Sequence, residues 1–128
     1  SLGFLYIMQR VGLPIVIGTD ANPEGMNDLP PGLAIHAELA MFVAAALTPL
    51  AALQASTINP AKMLHATDSL GTVAAGKLAD LVLLYANPLD DITNTTTVRA
   101  VVANGRYFDR MALDSALAEV RATIKQEP

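Results

Sequence analysis

Few side chains in this sequence can do acid–base or metal chemistry. There are two histidines, His36 and His65, twelve acidic residues and no cysteine. Among the acids, Asp20 stands out by its setting. Residues 16–22 read VIGTDAN, an apolar run that ends in a small residue, a hydroxyl and a carboxylate. Either Asp20 punctuates a turn, as aspartate often does, or a strand delivers it to a site. A carboxylate so delivered can take a proton from water within hydrogen-bond reach, or serve as one ligand of a divalent cation. Thr19 can orient it through its hydroxyl. Asn22 and Glu24 lie in the loop that follows, where substrate contacts are commonly built.

His36 opens the segment HAEL. In a helix, residues two apart face away from each other, so His-x-Glu is not a ligand spacing. His36 therefore reads as a helix-start residue bonded to a loop. The sharper reading makes it a substrate-contacting or supporting group. His65 falls near a helix end and receives no role. Asp80, in KLADLVLL, is expected to satisfy backbone groups at a strand start. No pair of acids forms a recognisable hydrolytic dyad. VIGTDANPEG lacks the glycine spacing and the lysine of a phosphate loop.

The elements that must place these residues follow from pattern. Residues 2–11 are apolar and suit a helix stopped at Gly12. Residues 13–18 (LPIVIG) form a short continuous apolar run, as in a strand covered on both faces. Residues 21–34 hold three prolines and two glycines and form a long loop. Ile35, Leu39, Phe42, Val43, Ala46 and Leu47 make a helical stripe. Thr48-Pro49 caps a second helix, and Asn59-Pro60 a third that runs through Leu64. Residues 78–85 and 98–103 read as strands, with 93–97 (TNTTT) as a polar loop between them. Asn104-Gly105 is a hairpin turn leading to 106–108. Asp109 caps a last helix over 111–125 with a stripe of Leu113, Leu117, Val120 and Ile124.

At 128 residues the chain suits one domain with a core of its own. A net charge of −4 with scattered basic residues argues against nucleic-acid binding. No apolar run approaches the roughly 18 residues of a membrane span. The first residues do not read as a signal peptide, so the expected location is the cytoplasm. One buried strand at the front has no visible parallel neighbour to satisfy its backbone. The expectation is that the missing strands lie upstream of Ser1 or come from another chain.

Four blocks, GLPIVIGTDAN, HAELAMFVAAALTPLAALQASTINPAKML, LGTVAAGKLADLVLLYANPLDDI and VRAVVANGRYFDR, closely resemble, in order, the C-terminal third of metal-dependent amidohydrolases. The nearest branch is the imidazolonepropionase and Xaa-Pro dipeptidase-like group. The resemblance implies an α/β fold: the C-terminal fragment of a (β/α)8 barrel, with strands of a small β-sandwich and a C-terminal helix. Residues 1–68 would be the last strand and closing helices of the barrel, 69–110 sandwich strands and 111–128 the final helix.

It also implies that Asp20 binds a catalytic divalent metal, zinc in the expected case. Asp20 would take a proton from the metal-bound water and pass it to the leaving nitrogen of a small amide, cyclic amide or dipeptide. The other ligands of that family come from strands this sequence lacks. The chain alone is therefore expected to be inert and to hold no metal tightly. An alternative is a non-catalytic module that self-associates through its exposed strand and helices, so a homo-oligomer is expected.

Overall fold

The computed structural model describes residues 2–20 and 32–124. Helix α1 (Leu2–Arg10) is followed by the run 13–20. Helices α2 (Ala34–Ala44), α3 (Pro49–Ser56) and α4 (Ile58–Met63) come next. Strand β1 (Leu81–Leu84) leads through a 3-10 helix (Ile92–Thr96) to β2 (Val98–Ala103) and β3 (Arg106–Phe108), and α5 (Arg110–Ile124) closes the described chain. The result is a mixed helix and strand architecture with one small antiparallel sheet, ordered β1-β2-β3. Among the described residues no helix is long and apolar enough to cross a membrane.

The helix ends are closed by backbone geometry. After α1, the Gly12 N–H donates to the Gln9 carbonyl and the Leu13 N–H to that of Met8, both at 3.0 Å. After α2, Ala46 donates to Val43 (2.9 Å) and Leu47 to Phe42 (3.1 Å). After α4, His65 donates to Lys62 (3.1 Å) and Ala66 to Ala61 (2.8 Å). Each pair satisfies carbonyls that a helix end leaves open, by a turn through a left-handed residue. That residue is Ala46 (φ +69°) or His65 (φ +53°) in the two later cases. His65 is thus an exposed helix stop.

Leu39, Phe42, Ala45, Leu47, Ala52, Ala55, Ile15 and Ile92 form the core. Burying each large member contributes about 1.5–3 kcal/mol. The stripe departs from expectation at its end: Ala45 is buried and Ala46 exposed. The helix stops at Ala44, so the helical period no longer applies there. Ala52 and Ala55, at 0% and 1% exposure, leave room for close packing around α3. Thr48 caps α3 as read, accepting from the Ala51 N–H at 3.1 Å with Pro49 following.

Four local expectations are corrected. Residues 13–18 take no regular strand, because no described backbone lies alongside to complete a ladder. Helix α4 begins at Ile58, so Asn59 lies inside it, and its side chain donates to the Ile15 carbonyl (2.9 Å). Strand β1 starts only at Leu81, because the three residues before it serve other groups. There the Leu78 N–H donates to Ser69, the Ala79 carbonyl accepts from Gly105, and Asp80 Oδ1 accepts from the Asn104 N–H (2.6 Å). The TNTTT segment is largely a 3-10 helix with Ile92 and Thr95 buried. Asp91 starts it, accepting from the Thr93 N–H (2.9 Å) and hydroxyl (2.7 Å).

The hairpin forms as read, with Asn104 (φ +49°) and Gly105 (φ +76°) at the turn and Ala103 opposite Arg106. Asp109 caps α5 by accepting from the Ala112 N–H (2.8 Å). Arg110 pins that helix to β2, donating to the Val98 carbonyl at 2.9 Å, and pairs with Asp114 at 2.8 Å. The expected α5 stripe is only lightly covered: Leu113 is half-buried, while Leu117 and Val120 are exposed.

Candidate functional site

Asp20 ends the run 13–20, is exposed, and has φ +46°. That left-handed conformation is uncommon for a residue with a side chain, although aspartate tolerates it better than most. Thr19, just before it, is half-buried. Asn22 and Glu24 lie outside the described residues.

The run is fixed by contacts that stand in for a sheet. Ile15 is buried in the core and its carbonyl accepts from Asn59 Nδ2. The Ile17 N–H donates to the Ala55 carbonyl at 3.0 Å. The Gly18 N–H donates to Glu38 Oε1 at 3.3 Å. The other oxygen, Glu38 Oε2, is buried and has no hydrogen-bond partner among the described residues. Gly18 and Glu38 border a cavity of about 670 Å³ walled by Phe4, Met8, Pro14 and Met41.

His36 is engaged elsewhere. Its Nδ1 lies 3.0 Å from Thr95 Oγ1, and that hydroxyl donates to the Ile92 carbonyl at 2.9 Å. A hydroxyl has one proton, so toward His36 the Thr95 oxygen accepts. In the neutral ring the proton then sits on Nδ1 and the lone pair on Nε2. Thr95 is buried, so this link ties the first turn of α2 to the 3-10 helix. His36 also borders a cavity of about 740 Å³ beside Leu39, Leu53, Leu81 and Val98. Asp20 lines neither cavity.

Glu38 is thus hydrogen-bonded to the run that carries Asp20, and His36 to Thr95. Sequence reasoning passed over Glu38. The signal was present in the rule that set aside His-x-Glu as a ligand pair, since residues two apart on a helix serve different sides. Among the described residues no three His, Asp or Glu side chains gather where a metal ion could be held. A catalytic zinc takes three protein ligands, so these described residues do not complete such a site, and Asp20 would be one ligand of it.

Comparison with known proteins places this geometry in context. A family model described as the amidohydrolase family matches residues 4–107. The chain is 39% identical over 84 residues to an imidazolonepropionase of Thermoplasma acidophilum, covering 63% of this chain and 19% of that protein. It is 43% identical over 76 residues to an imidazolonepropionase of Aromatoleum aromaticum, covering 59% and 18%. It thus spans about a fifth of the length of these curated relatives.

Among solved structures, a molinate hydrolase superposes with a TM-score of 0.74 at 35% identity, over 85% of this chain and 26% of that one. A Xaa-Pro dipeptidase with methionine bound in its active site superposes at 0.72 and 28%, over 84% and 25%. Hydrolases of C–N bonds make up the family this model describes, and they are generally metal-dependent. The sequence match spans the run bearing Asp20, the helices that brace it and the antiparallel sheet, and on that ground the chain belongs to the amidohydrolase family.

Proposed function

We propose that this chain forms the C-terminal part of a barrel amidohydrolase that hydrolyses a C–N bond in a small amide, cyclic amide or dipeptide. The observation that carries this is the family match across residues 4–107, within which Asp20 ends an apolar run hydrogen-bonded to α2, α3 and α4. In this reading residues 13–19 supply the last barrel strand, and 81–108 contribute to a small sandwich. Asp20 is the reacting carboxylate. It receives the proton of the attacking water and returns it to the nitrogen that leaves, so the C–N bond breaks with no net change in protonation. General-base assistance of this kind contributes about 10²–10⁴-fold. A divalent cation, when bound, supplies Lewis acidity to such a reaction. Among the described residues no three His, Asp or Glu donors gather, and in this reading the 128-residue chain by itself is inert and holds no stoichiometric zinc.

The test is complementation. The chain is co-expressed with an imidazolonepropionase truncated before its matching C-terminal region. Hydrolysis and zinc content are measured for the pair and for each part. Activity is expected only in the pair, with Asp20→Asn lowering it by at least about 10²-fold. Stoichiometric zinc and turnover in the isolated chain would overturn the proposal, and so would full activity with Asp20→Asn.

A second reading, self-association, draws on the exposed apolar side chains Phe4 (63%), Ile7 (59%), Leu13 (52%) and Met41 (55%) near the run. Sedimentation over a hundredfold concentration range should show a dimer that dissociates on dilution. A strict monomer at every concentration removes this reading.

A further inference from the structure

We propose that Lys77 is the clasp of a strap, residues 67–77, that walls the cavity between the helices and the sheet, and that the strap opens when the Lys77 ammonium loses its charge. Lys77 Nζ donates to the Thr67 carbonyl (2.6 Å), the Leu70 carbonyl (3.3 Å) and Thr72 Oγ1 (2.6 Å). An ammonium has three donors and no acceptor, so these partners use it fully. Among the described residues no carboxylate shares it, since the ion pair there joins Arg110 to Asp114. A cation that meets uncharged oxygens holds them by charge-assisted hydrogen bonds, which run short and strong. Neutralising it removes that hold.

The strap's course lets one side chain fasten it. The chain leaves α4 through the left-handed His65 and folds back at Gly76 (φ +86°). There the Lys77 N–H donates to the Ala74 carbonyl at 3.3 Å. The turn sends the Lys77 side chain back along the outgoing limb, to Thr67, Leu70 and Thr72. Beside it the Leu78 N–H donates to the Ser69 carbonyl at 3.0 Å, which among the described residues is the one backbone hydrogen bond between the limbs. Residues 72–76 are exposed, Val73 by 84%, so burial in the core does not hold the tip. Leu70, Gly71, Thr72 and Val73 line the cavity of about 740 Å³ together with Leu81 and Val98. None of these contacts involves Asp20, so the clasp stands apart from the reading of that residue.

The test uses the folded 128-residue chain as wild type, Thr72→Val and Lys77→Met. Trace labelling with acetic anhydride, read by mass spectrometry, compares Lys77 with the exposed Lys62. Lys77 must give up charged hydrogen bonds before its nitrogen can attack, so it should react at least about tenfold more slowly. In urea above the unfolding transition the two should react within about threefold of each other, because the unfolded chain leaves both solvated. Thr72→Val keeps the side-chain volume and removes one acceptor. It should speed the labelling of Lys77 about three- to tenfold and leave Lys62 unchanged. Lys77→Met keeps an unbranched side chain and has no donor. In that variant amide exchange at Leu78 should quicken about tenfold, while Leu39, Phe42 and Ala52 keep their protection. In the Lys77→Met background Thr72→Val should change Leu78 exchange by less than about 1.5-fold, because the two residues act through one contact.

Equal reactivity of Lys77 and Lys62 in the folded chain overturns the proposal. So does unchanged labelling of Lys77 in Thr72→Val, which assigns its protection to burial alone. Wild-type exchange at Leu78 in Lys77→Met overturns it too, as does an additive effect of Thr72→Val in that background. An equal loss of protection in the core has the same force, because the change is then global rather than confined to the strap. If Lys77→Met does not fold, the labelling of wild type and Thr72→Val decides.

Discussion

Replacing Asn59 tests whether side chains, rather than a sheet, hold the run that carries Asp20. Asn59 Nδ2 donates to the Ile15 carbonyl at 2.9 Å, across 44 residues of sequence. Ile15 is 9% exposed and sits in the core cluster, so its carbonyl has little access to water. Asn59→Ala removes the donor and leaves that oxygen unpaired, which costs about 1–3 kcal/mol. Asn59→Asp is more severe above the aspartate titration, since it sets a carboxylate oxygen against a carbonyl oxygen. It should exceed the alanine loss by about 1 kcal/mol, the scale of a further unmet polar group. Alanine also has the higher helix propensity, which offsets up to about 0.7 kcal/mol within α4. A net loss of about 1–2 kcal/mol is expected for Asn59→Ala. Urea unfolding followed by far-UV circular dichroism measures it, with amide exchange at Ile17 as the local probe. If Asn59→Ala lies within about 0.3 kcal/mol of wild type, or Asn59→Asp is the more stable of the two at neutral pH, the claimed brace does not exist.

Two further outcomes follow from local geometry. Gly71 has φ +87°, and a Cβ built there would lie 2.8 Å from Ala61 Cβ and 3.0 Å from Ile58 Cα. Gly71→Ala therefore combines left-handed strain with overpacking against α4, about 2–4 kcal/mol in all, read as a shift of the urea midpoint. At Asp91, the Thr93 hydroxyl and then the Thr93 N–H hold the carboxyl below its ordinary range. A depressed carboxyl favours the folded form above its unfolded titration and loses that contribution as pH falls through the folded one. The Thr93 amide resonance should thus move in the acid limb, below the usual aspartate range, and an Asp91→Asn variant should show no such movement.

What was legible in the sequence was mainly what neighbours in sequence decide. The Thr48-Pro49 start of α3, the Asp109 cap of α5 and the Asn104-Gly105 hairpin each depend on residues within three positions, and each formed as read. The misreadings share the opposite property. Asn59 has the look of a cap, yet its amide reaches Ile15. TNTTT has the composition of a solvated loop, yet Thr95 is buried, with its hydroxyl against His36, 59 residues away. Residues 13–18 have the composition of a central strand, but a strand is a relation between chains of backbone and cannot be made by one segment alone. What that run does instead is borrow partners from α3, α4 and α2. The pairing of His36 with the 3-10 helix and of Glu38 with Gly18 follows one geometric fact. Two polar residues at i and i+2 of a helix cannot serve the same neighbour. Had His36 turned toward Asp20, Glu38 would have faced away from the run, and the Gly18 amide would have lost its acceptor. The helix turns the Glu38 carboxylate to the Gly18 amide and the His36 ring to the Thr95 hydroxyl.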